Sequence, residues 1–222
     1  MRSSAWSTVA RLTPVIRLAL VTLAAAVVAV TAAAAPPSVL LHPSSLHAKA
    51  PAVYRASFAT TKGTFVVTVH RAWSPRGADR FYNLVQAHFF DGVTFFRVVK
   101  GFVVQFGISP DPAVSKAWQS ATIKDDPVKT SNTPGTITFA DAGPQTRTTQ
   151  VFVNLGNNAT LDGQGFSPFG KVTSGMSVVN KLYGGYGDQP TNDQQQISTQ
   201  GNAFLRKTFP KLDGIRTARI LH

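Results

Sequence analysis

The chain has 222 residues, 43% of them hydrophobic, and carries a formal net charge of +12 without a single cysteine. The lack of cysteine excludes disulfide bonds, thiolate metal sites and a lipid anchor on cysteine. All ten acidic residues are dispersed aspartates, which leaves little basis for paired-carboxylate catalysis.

The first 35 residues have the composition of a targeting segment. Residues 1–17 contain three arginines and no acidic residue, and residues 18–35 consist only of Leu, Val, Ala and Thr. A basic region followed by an apolar region with a small-residue end predicts a secretory signal peptide. An uncleaved anchor is the alternative, because about 18 apolar residues are the lower limit for a membrane span. We therefore expect an exported protein, periplasmic or secreted, or one anchored to the inner membrane by residues 18–35.

The rest of the chain divides into a short linker and one domain. Residues 36–52 are rich in Pro, Ser and Ala without periodicity, which predicts a linker. Residues 53–222 are long enough for one domain with a substantial core. Without the three N-terminal arginines, 19 basic and 10 acidic residues remain. This surplus is scattered and no nucleic-acid-binding motif accompanies it, so we do not expect a nucleic-acid partner.

The domain begins with a predicted β-hairpin followed by a helix. Within residues 54–70, two segments in which apolar and polar residues alternate flank a turn at Thr61-Lys62-Gly63, as in a pair of strands. Ser74 and Pro75 then predict a helix start, with Ser74 as the N-cap and Pro75 at the first helical position. Apolar residues between positions 81 and 89 recur at helical spacing and predict one apolar helix face.

The next stretch, residues 95–107, is organised around two polar side chains in apolar surroundings. Two short apolar runs meet at Lys100-Gly101, which predicts two strand segments joined by a tight bend. Arg97 lies in the first run and Gln105 in the second. Arginine is almost never fully buried without a partner, so we expect Arg97 and Gln105 to form a pair.

The remaining residues predict further short strands and helices. Residues 109–134 contain four prolines among polar residues and predict a long surface loop. Downstream we expect three strands, at residues 135–140, 150–155 and 165–172, and then a second helix at 174–183 that is capped by Ser174. A loop at residues 184–196, a third short helix at 200–209 and a last strand at 215–221 complete the chain. This pattern favours a mainly β fold, a closed antiparallel β-barrel capped by two amphipathic helices.

Three ordered motifs between residues 53 and 221 are similar to those of one known family. The stretch 95–107 resembles the signature F-H/F-R-I/V-I/V-x-G-F-x-x-Q-x-G. Ala140-Asp141-Ala142-Gly143-Pro144 is followed at the family's spacing by Thr149-Gln150-Val151-Phe152-Val153, and then come Leu161-Asp162-Gly163 and Phe169-Gly170-Lys171-Val172. In this order the motifs resemble the cyclophilins, which are barrel-shaped peptidyl-prolyl cis–trans isomerases.

The resemblance implies a set of site residues. Arg97 falls at the family's catalytic arginine, and Gln105 at the glutamine that supports it. Further positions match residues that bind the substrate: Phe102, Val103, Phe152 and Leu161 in the proline pocket, and Ala140, Asp141 and Gln150 along the substrate backbone. Thr160 stands where eukaryotic members have a tryptophan, and Phe166 is the nearest counterpart of the family's pocket histidine.

The resemblance also implies a function. We expect a rotamase that accelerates X-Pro bond rotation in exported proteins by stabilising the twisted amide non-covalently, as a monomer without metal or cofactor. Its partners would be proline-containing polypeptides. The alternative is a binding module on the same fold, a chaperone or envelope adaptor that grips proline segments without turnover. The presence of Arg97, Phe102 and Gln105 together favours the enzyme.

Overall fold

Eight short strands pair into one antiparallel sheet. The computed structural model describes residues 38–222, and the predicted signal peptide or anchor, residues 1–35, lies outside them. The strands are β1 (Val53–Thr60), β2 (Gly63–His70), β3 (Arg97–Val99), β4 (Val103–Phe106), β5 (Thr136–Phe139), β6 (Val151–Asn154), β7 (Pro168–Ser174) and β8 (Ile215–Leu221). Their order in the sheet is β3-β4-β6-β5-β7-β2-β1-β8. The predicted mainly β, antiparallel architecture is confirmed.

The sheet curls but its ladder is open, which differs from the predicted closed barrel. β3 and β8 are the two ends of the sheet. Backbone hydrogen bonds join the segment before β3 to the start of β8: for example, Phe95 N–H donates to Asp213 O at 3.0 Å and Ile215 N–H donates to Val93 O at 2.8 Å. β3 has three residues and pairs with β4, and no strand ladder continues from β3 to β8.

The main core lies between the curled sheet and the first helix, and it is rich in phenylalanine. Burial in β1 alternates along the strand, as expected for a strand with one buried face. Phe58 stacks on Phe65 with ring centroids 5.0 Å apart, and Phe81 of the helix packs against Phe58 at 5.9 Å. A second, smaller apolar cluster joins Phe96 to the last helix.

The first helix, α1 (Pro75–Gln86), begins where predicted but has a different cap. The Ser74 side chain makes no capping hydrogen bond; its hydroxyl donates instead to Asp126 Oδ2 at 2.7 Å. The Asp126 carboxylate accepts hydrogen bonds from the free backbone N–H groups of Arg76 at 3.2 Å and Gly77 at 3.0 Å. A charged acceptor at a helix N-terminus satisfies these groups and interacts favourably with the helix dipole.

A second helix, α2 (Pro112–Trp118), occupies part of the region predicted as a loop. Asp111 is its N-cap, with the carboxylate accepting a hydrogen bond from Ala113 N–H at 2.7 Å. Pro112 is at the start of the helix, where its missing N–H costs nothing. The prediction of an entirely irregular 109–134 loop was therefore wrong, because Pro112 marks a helix start.

The last two helices differ from the predicted bounds. α3 (Met176–Asn180) follows Gly175 at φ +78°, and Ser174 ends β7 instead of capping the helix. α4 (Gln194–Thr208) begins within the predicted loop and is kinked at Gly201. A Cβ at Gly201 would lie 2.1 Å from the carbonyl oxygen of Pro110, so only glycine allows this contact. The described residues thus contain four α-helices, two more than the predicted capping pair and one more, α2, than the three helices predicted along the chain.

Residues 38–52, predicted as a linker, are packed on the domain. Leu40 is buried and its carbonyl accepts a hydrogen bond from Trp118 Nε1 at 2.9 Å. Ala48 exchanges two hydrogen bonds with the side chain of Asn83 in α1. Within residues 38–222, no helix is both long and apolar enough to span a membrane.

Candidate active site

Arg97 and Gln105 face each other across the β3–β4 ladder. They are direct partners in the register, and the Arg97 Nη1 group donates to Gln105 Oε1 at 3.2 Å. Because directly opposed residues of an antiparallel pair share one face, the predicted pairing follows from the register. Gln105 is buried, with 7% of the residue exposed, so its amide has few alternative partners.

The same face continues across the sheet into β6. Gln105 is paired with Phe152, and Phe152 with Thr138 of β5. The flanking residues Val104 and Val153 point the other way, into the main core. Strand alternation thus separates a face with polar groups from the apolar interior.

Phe102 reaches this face from the turn between β3 and β4. Gly101 has φ +75° and Phe102 N–H donates to Val99 O at 3.0 Å, which closes the bend. Phe102 precedes β4, so strand alternation does not apply to it. Its ring lies 5.3 Å from Arg97 Cζ, a cation–π contact.

These side chains line a cavity of about 270 Å³. The lining residues are Arg97, Phe102, Val103, Gln105, Ala140, Asp141, Phe152, Leu161, Phe166, Thr191 and Gln194. Nine of them are predicted site residues, drawn from β3, β4, β6 and the three segments that connect β3 to β4, β5 to β6 and β6 to β7. The lining contains no histidine, serine or cysteine, and its one carboxyl group is that of Asp141. The cavity therefore offers a fixed cation beside apolar side chains, without the usual residues of nucleophilic catalysis.

A larger groove of about 660 Å³ lies between α2 and α4 and shares Gln194 with the cavity. We place the site in the smaller cavity, because it contains the only arginine that lines either space. Gln150, also a predicted site residue, lines the groove. It accepts a hydrogen bond from Gln105 Nε2 at 2.9 Å and donates to Gln194 Oε1 at 3.1 Å. Gln150 therefore contacts Gln105, which lines the cavity, but does not line the cavity itself.

The far wall of the cavity is held by a buried polar network. Leu161 lies in a 3₁₀ helix (Ala159–Gln164) and Phe166 just beyond it. Asn132 is fully buried and donates to Asp162 Oδ1 at 2.7 Å and to Phe166 O at 2.8 Å. Thr160 is exposed on this helix and is not among the lining residues.

Burial and neighbouring charges perturb one carboxyl group at the rim. Partial burial is the main cause that raises the pKa of Asp141, and the nearby charge of Asp125 raises it further. A backbone hydrogen bond from Gly143 and the charge of Arg147 act in the opposite direction. Asp141 therefore takes up a proton at a higher pH than an ordinary aspartate would.

Three residues at the cavity were not predicted from the sequence. Thr191 and Gln194 line it, and Asp188 Oδ1 accepts a hydrogen bond from Arg97 Nε. All three belong to residues 184–196, which carry no periodic pattern and were predicted only as a loop. An isolated aspartate in a Gly-rich stretch gives no signal that it contacts an arginine 91 positions away.

Among residues 38–222, no group of three or more histidine or carboxylate side chains is arranged to hold a metal ion. What the cavity offers is a planar guanidinium that stays charged at any working pH. Its position is held by hydrogen bonds to Gln105 and Asp188. Such a site can bind a small apolar ring and donate hydrogen bonds to a polar atom next to it.

The chain is similar to many known proteins of one family. The family described as cyclophilin type peptidyl-prolyl cis-trans isomerase/CLD matches residues 55–202. A peptidyl-prolyl cis–trans isomerase of Arabidopsis thaliana is 33% identical over 129 residues, 55% of this chain and 76% of the relative. One from Acinetobacter baylyi is 30% identical over 154 residues, 64% of this chain and 81% of the relative.

A solved structure of a family member has a similar fold. The crystal structure of a cyclophilin type peptidyl-prolyl cis-trans isomerase from Cryptosporidium parvum superposes with a TM-score of 0.57. It covers 77% of this chain and 98% of its own length at 16% sequence identity, so this likeness concerns the fold alone. The family match extends over most of the described residues and includes β3, β4 and the cavity. The chain therefore belongs to the family of cyclophilin-type peptidyl-prolyl cis–trans isomerases.

Proposed function

We propose that this isomerase twists X-Pro bonds in the 270 Å³ cavity and that Arg97 is its catalytic residue. The observation that carries the proposal is the position of Arg97, which lies over Phe102 and donates to Gln105 at 3.2 Å. A guanidinium held in this way keeps some of its N–H groups free for a ligand in the cavity.

The reaction needs only non-covalent help. Rotation about a peptide bond has a barrier of about 18–20 kcal/mol, because the nitrogen lone pair is delocalised into the carbonyl. In the twisted state that lone pair returns to the nitrogen, which becomes pyramidal and accepts hydrogen bonds. An enzyme that donates to this nitrogen binds the twisted state better than either planar isomer, and so lowers the barrier.

The required stabilisation is within reach of such a site. Uncatalysed X-Pro exchange takes tens to hundreds of seconds. Shortening it to about a millisecond requires about four to five decades, or about 5–7 kcal/mol. An arginine in surroundings of low dielectric, together with a fixed ring pocket, supplies energies of this order without any covalent step.

The other cavity residues would hold the substrate. We assign Phe102, Val103, Phe152, Leu161 and Phe166 to the proline ring, since their apolar side chains line the cavity. Ala140 and Asp141 at the rim, with Gln150 behind Gln105, would hold the backbone beside the proline. Thr160, on the exposed side of its helix, would contact only residues of the substrate outside the cavity.

We further propose that the substrates are exported polypeptides. The proposal is supported by the composition of residues 1–35, which is that of a signal peptide or an anchor to the inner membrane. The protein would then act in the periplasm, at the membrane surface or outside the cell. It would work as a monomer, because one chain supplies every residue of the cavity.

We also infer that the curled sheet behaves as a closed barrel in solution. This inference is supported by the backbone hydrogen bonds that join residues 92–95 to residues 213–215 at the two sheet ends. Closure would leave no long free strand edge, which suits an exported protein without disulfides.

The test compares Arg97→Ala with wild type in an X-Pro peptide isomerisation assay. We expect kcat/KM to fall by about two orders of magnitude, with an unchanged melting temperature, because the Arg97 side chain is partly exposed. Arg216→Ala, at an exposed position in β8, is the matched control and should be fully active. Full activity of Arg97→Ala would refute the assignment. Peptide binding without turnover by the wild type would favour the chaperone or adaptor.

A further inference from the structure

Asp188 contacts the proposed catalytic arginine directly. Its Oδ1 accepts a hydrogen bond from Arg97 Nε, and the side chains of Arg97 and Asp188 are 26% and 58% exposed. The contact is therefore at the mouth of the cavity, within reach of a bound substrate.

The backbone places Asp188 at this position. Gly187, the preceding residue, forms an isolated antiparallel bridge with Val98, which follows Arg97. The turn into Gly187 is closed by its N–H, which donates to Gly184 O at 3.1 Å. Lys100 Nζ, from the β3–β4 turn, holds the same segment by donating to Leu182 O at 2.9 Å. The main-chain bridge between Gly187 and Val98 thus brings the next residue, Asp188, close to Arg97.

Gln194, six residues after Asp188, is also connected to the site by hydrogen bonds. Gln105 and Gln194 are both hydrogen-bonded to Gln150. Arg97 thus connects to residues 188–194 at both ends, through Asp188 and through the three glutamines. Ile197, one turn into α4, is anchored in the apolar cluster with Phe96. These contacts close a ring of polar side chains around one side of the cavity.

The two contacts of Arg97 leave a defined set of donors. A guanidinium has five N–H groups in one plane; one is on Nε and two are on each Nη. Asp188 takes the Nε group and Gln105 takes one on Nη1. Two acceptors on different nitrogens restrict rotation of the plane, and three N–H groups remain for a ligand.

We propose that Asp188 is a positioning residue that holds the Arg97 guanidinium in the orientation needed for donation to the proline nitrogen. The proposal rests on the proposed function of Arg97. Its effect is on orientation and not on stability, since an ion pair this exposed contributes little to folding. A misoriented donor loses transition-state stabilisation even when the substrate still binds.

The experiment measures kcat/KM for an X-Pro peptide, the melting temperature and the Arg97 Nε–H signal in ¹⁵N NMR spectra. We expect Asp188→Ala to lower kcat/KM about five- to tenfold with an unchanged melting temperature and a rapidly exchanging Nε–H. Asp188→Asn keeps an oxygen acceptor without the charge, so it should restore activity to within about threefold and protect the Nε–H again.

Asp193→Ala is the matched control. It removes the same charge from the same segment, but Asp193 does not line the cavity and makes no side-chain capping contact. Wild-type or higher activity of Asp188→Ala would overturn the proposal, and so would an Asp188→Asn protein as slow as the alanine variant. If Arg97→Ala is inactive while Asp188→Ala is fully active, only the role of Asp188 fails. A fully active Arg97→Ala would instead refute the proposed function.

Discussion

Arg97 and Gln105 are direct cross-strand partners, and their side chains are hydrogen-bonded at 3.2 Å. Gln105 also donates to Gln150 at 2.9 Å, so its amide cannot turn without breaking one of these two bonds. The orientation of Arg97 therefore depends on residues that the substrate need not touch.

Replacing Gln105 should reduce turnover through Arg97. A hydrogen bond to a charged group contributes about 1.5–3 kcal/mol, so we expect Gln105→Ala to lower kcat/KM by at least about tenfold. The double variant with Arg97→Ala should be no slower than Arg97→Ala alone, because both changes remove the same interaction. Gln196→Ala, at an exposed position, is the control. Additive losses in the double variant would mean that Gln105 acts independently of Arg97.

The rate should be independent of pH between about pH 6 and 9. The cavity lining contains no histidine, and its only carboxyl group is that of Asp141. The raised pKa of Asp141 means that it becomes neutral as the pH falls towards its ordinary value of about 3.9. Any change in kcat/KM should thus be confined to the acid side, below about pH 5, and should be smaller in Asp141→Asn. A bell-shaped profile centred on neutrality would contradict the proposed mechanism.

Asp126 should control stability at neutral pH. Burial, the largest effect, raises the pKa of this carboxyl. Hydrogen bonds from Ser74, Gly77 and Arg76, together with the charge of Arg147, outweigh burial and leave the pKa below its usual value. A group with a lowered folded-state pKa stabilises the protein above its unfolded pKa of about 3.9, and this stability is lost as the pH falls through the folded value.

The test of this is Asp126→Asn, measured by chemical unfolding. We expect the free energy of unfolding at pH 7 to fall by about 3 kcal/mol, because the buried Arg147 loses a charged partner. The variant should also lose less stability than wild type between about pH 4 and 2. Asp193→Asn should behave as wild type in both respects. An identical pH dependence in wild type and Asp126→Asn would contradict the role of this carboxylate.

Asn132 should couple stability to activity. Its side chain accepts from Thr138 Oγ1 at 2.8 Å and donates to the segment that carries Leu161 and Phe166. Asn132→Ala leaves several buried groups without partners, so we expect a loss of about 2–3 kcal/mol in unfolding free energy. A drop in kcat/KM should accompany it, because the far wall of the cavity loses its support. Asn157→Ala, at an exposed position, should change neither quantity, and an active Asn132→Ala would show that this wall is held in another way.

Features set by neighbouring residues were predictable from the sequence. The β1–β2 hairpin follows from alternation around a Gly-containing turn, and its register pairs Thr60 with Gly63 as expected. The start of α1 follows from Pro75, whose fixed φ suits the first helical turn. Arg97 and Gln105 could be paired because they lie eight residues apart on two strands joined by a tight bend.

The motifs that resemble the cyclophilins located most of the cavity. Phe152 and Leu161 lie far from Arg97 in the chain, and no periodicity connects them. Their spacing relative to the first motif matched the family pattern, and both line the cavity. Thr160 stands where eukaryotic members have a tryptophan, and it is exposed and does not line the cavity.

The sequence by itself determined the class of fold, the hairpins, the family and the arginine with its glutamine. Only the tertiary structure decided which distant polar group meets each of these elements. Asp126 caps α1 from 52 residues beyond Ser74, and Asp188 reaches Arg97 from 91 residues away. A cap or an ion pair requires only an acceptor at the right distance, and the folded path of the chain supplies it. Such contacts leave no pattern in the neighbouring residues, whereas strands and helices repeat at fixed intervals along the chain.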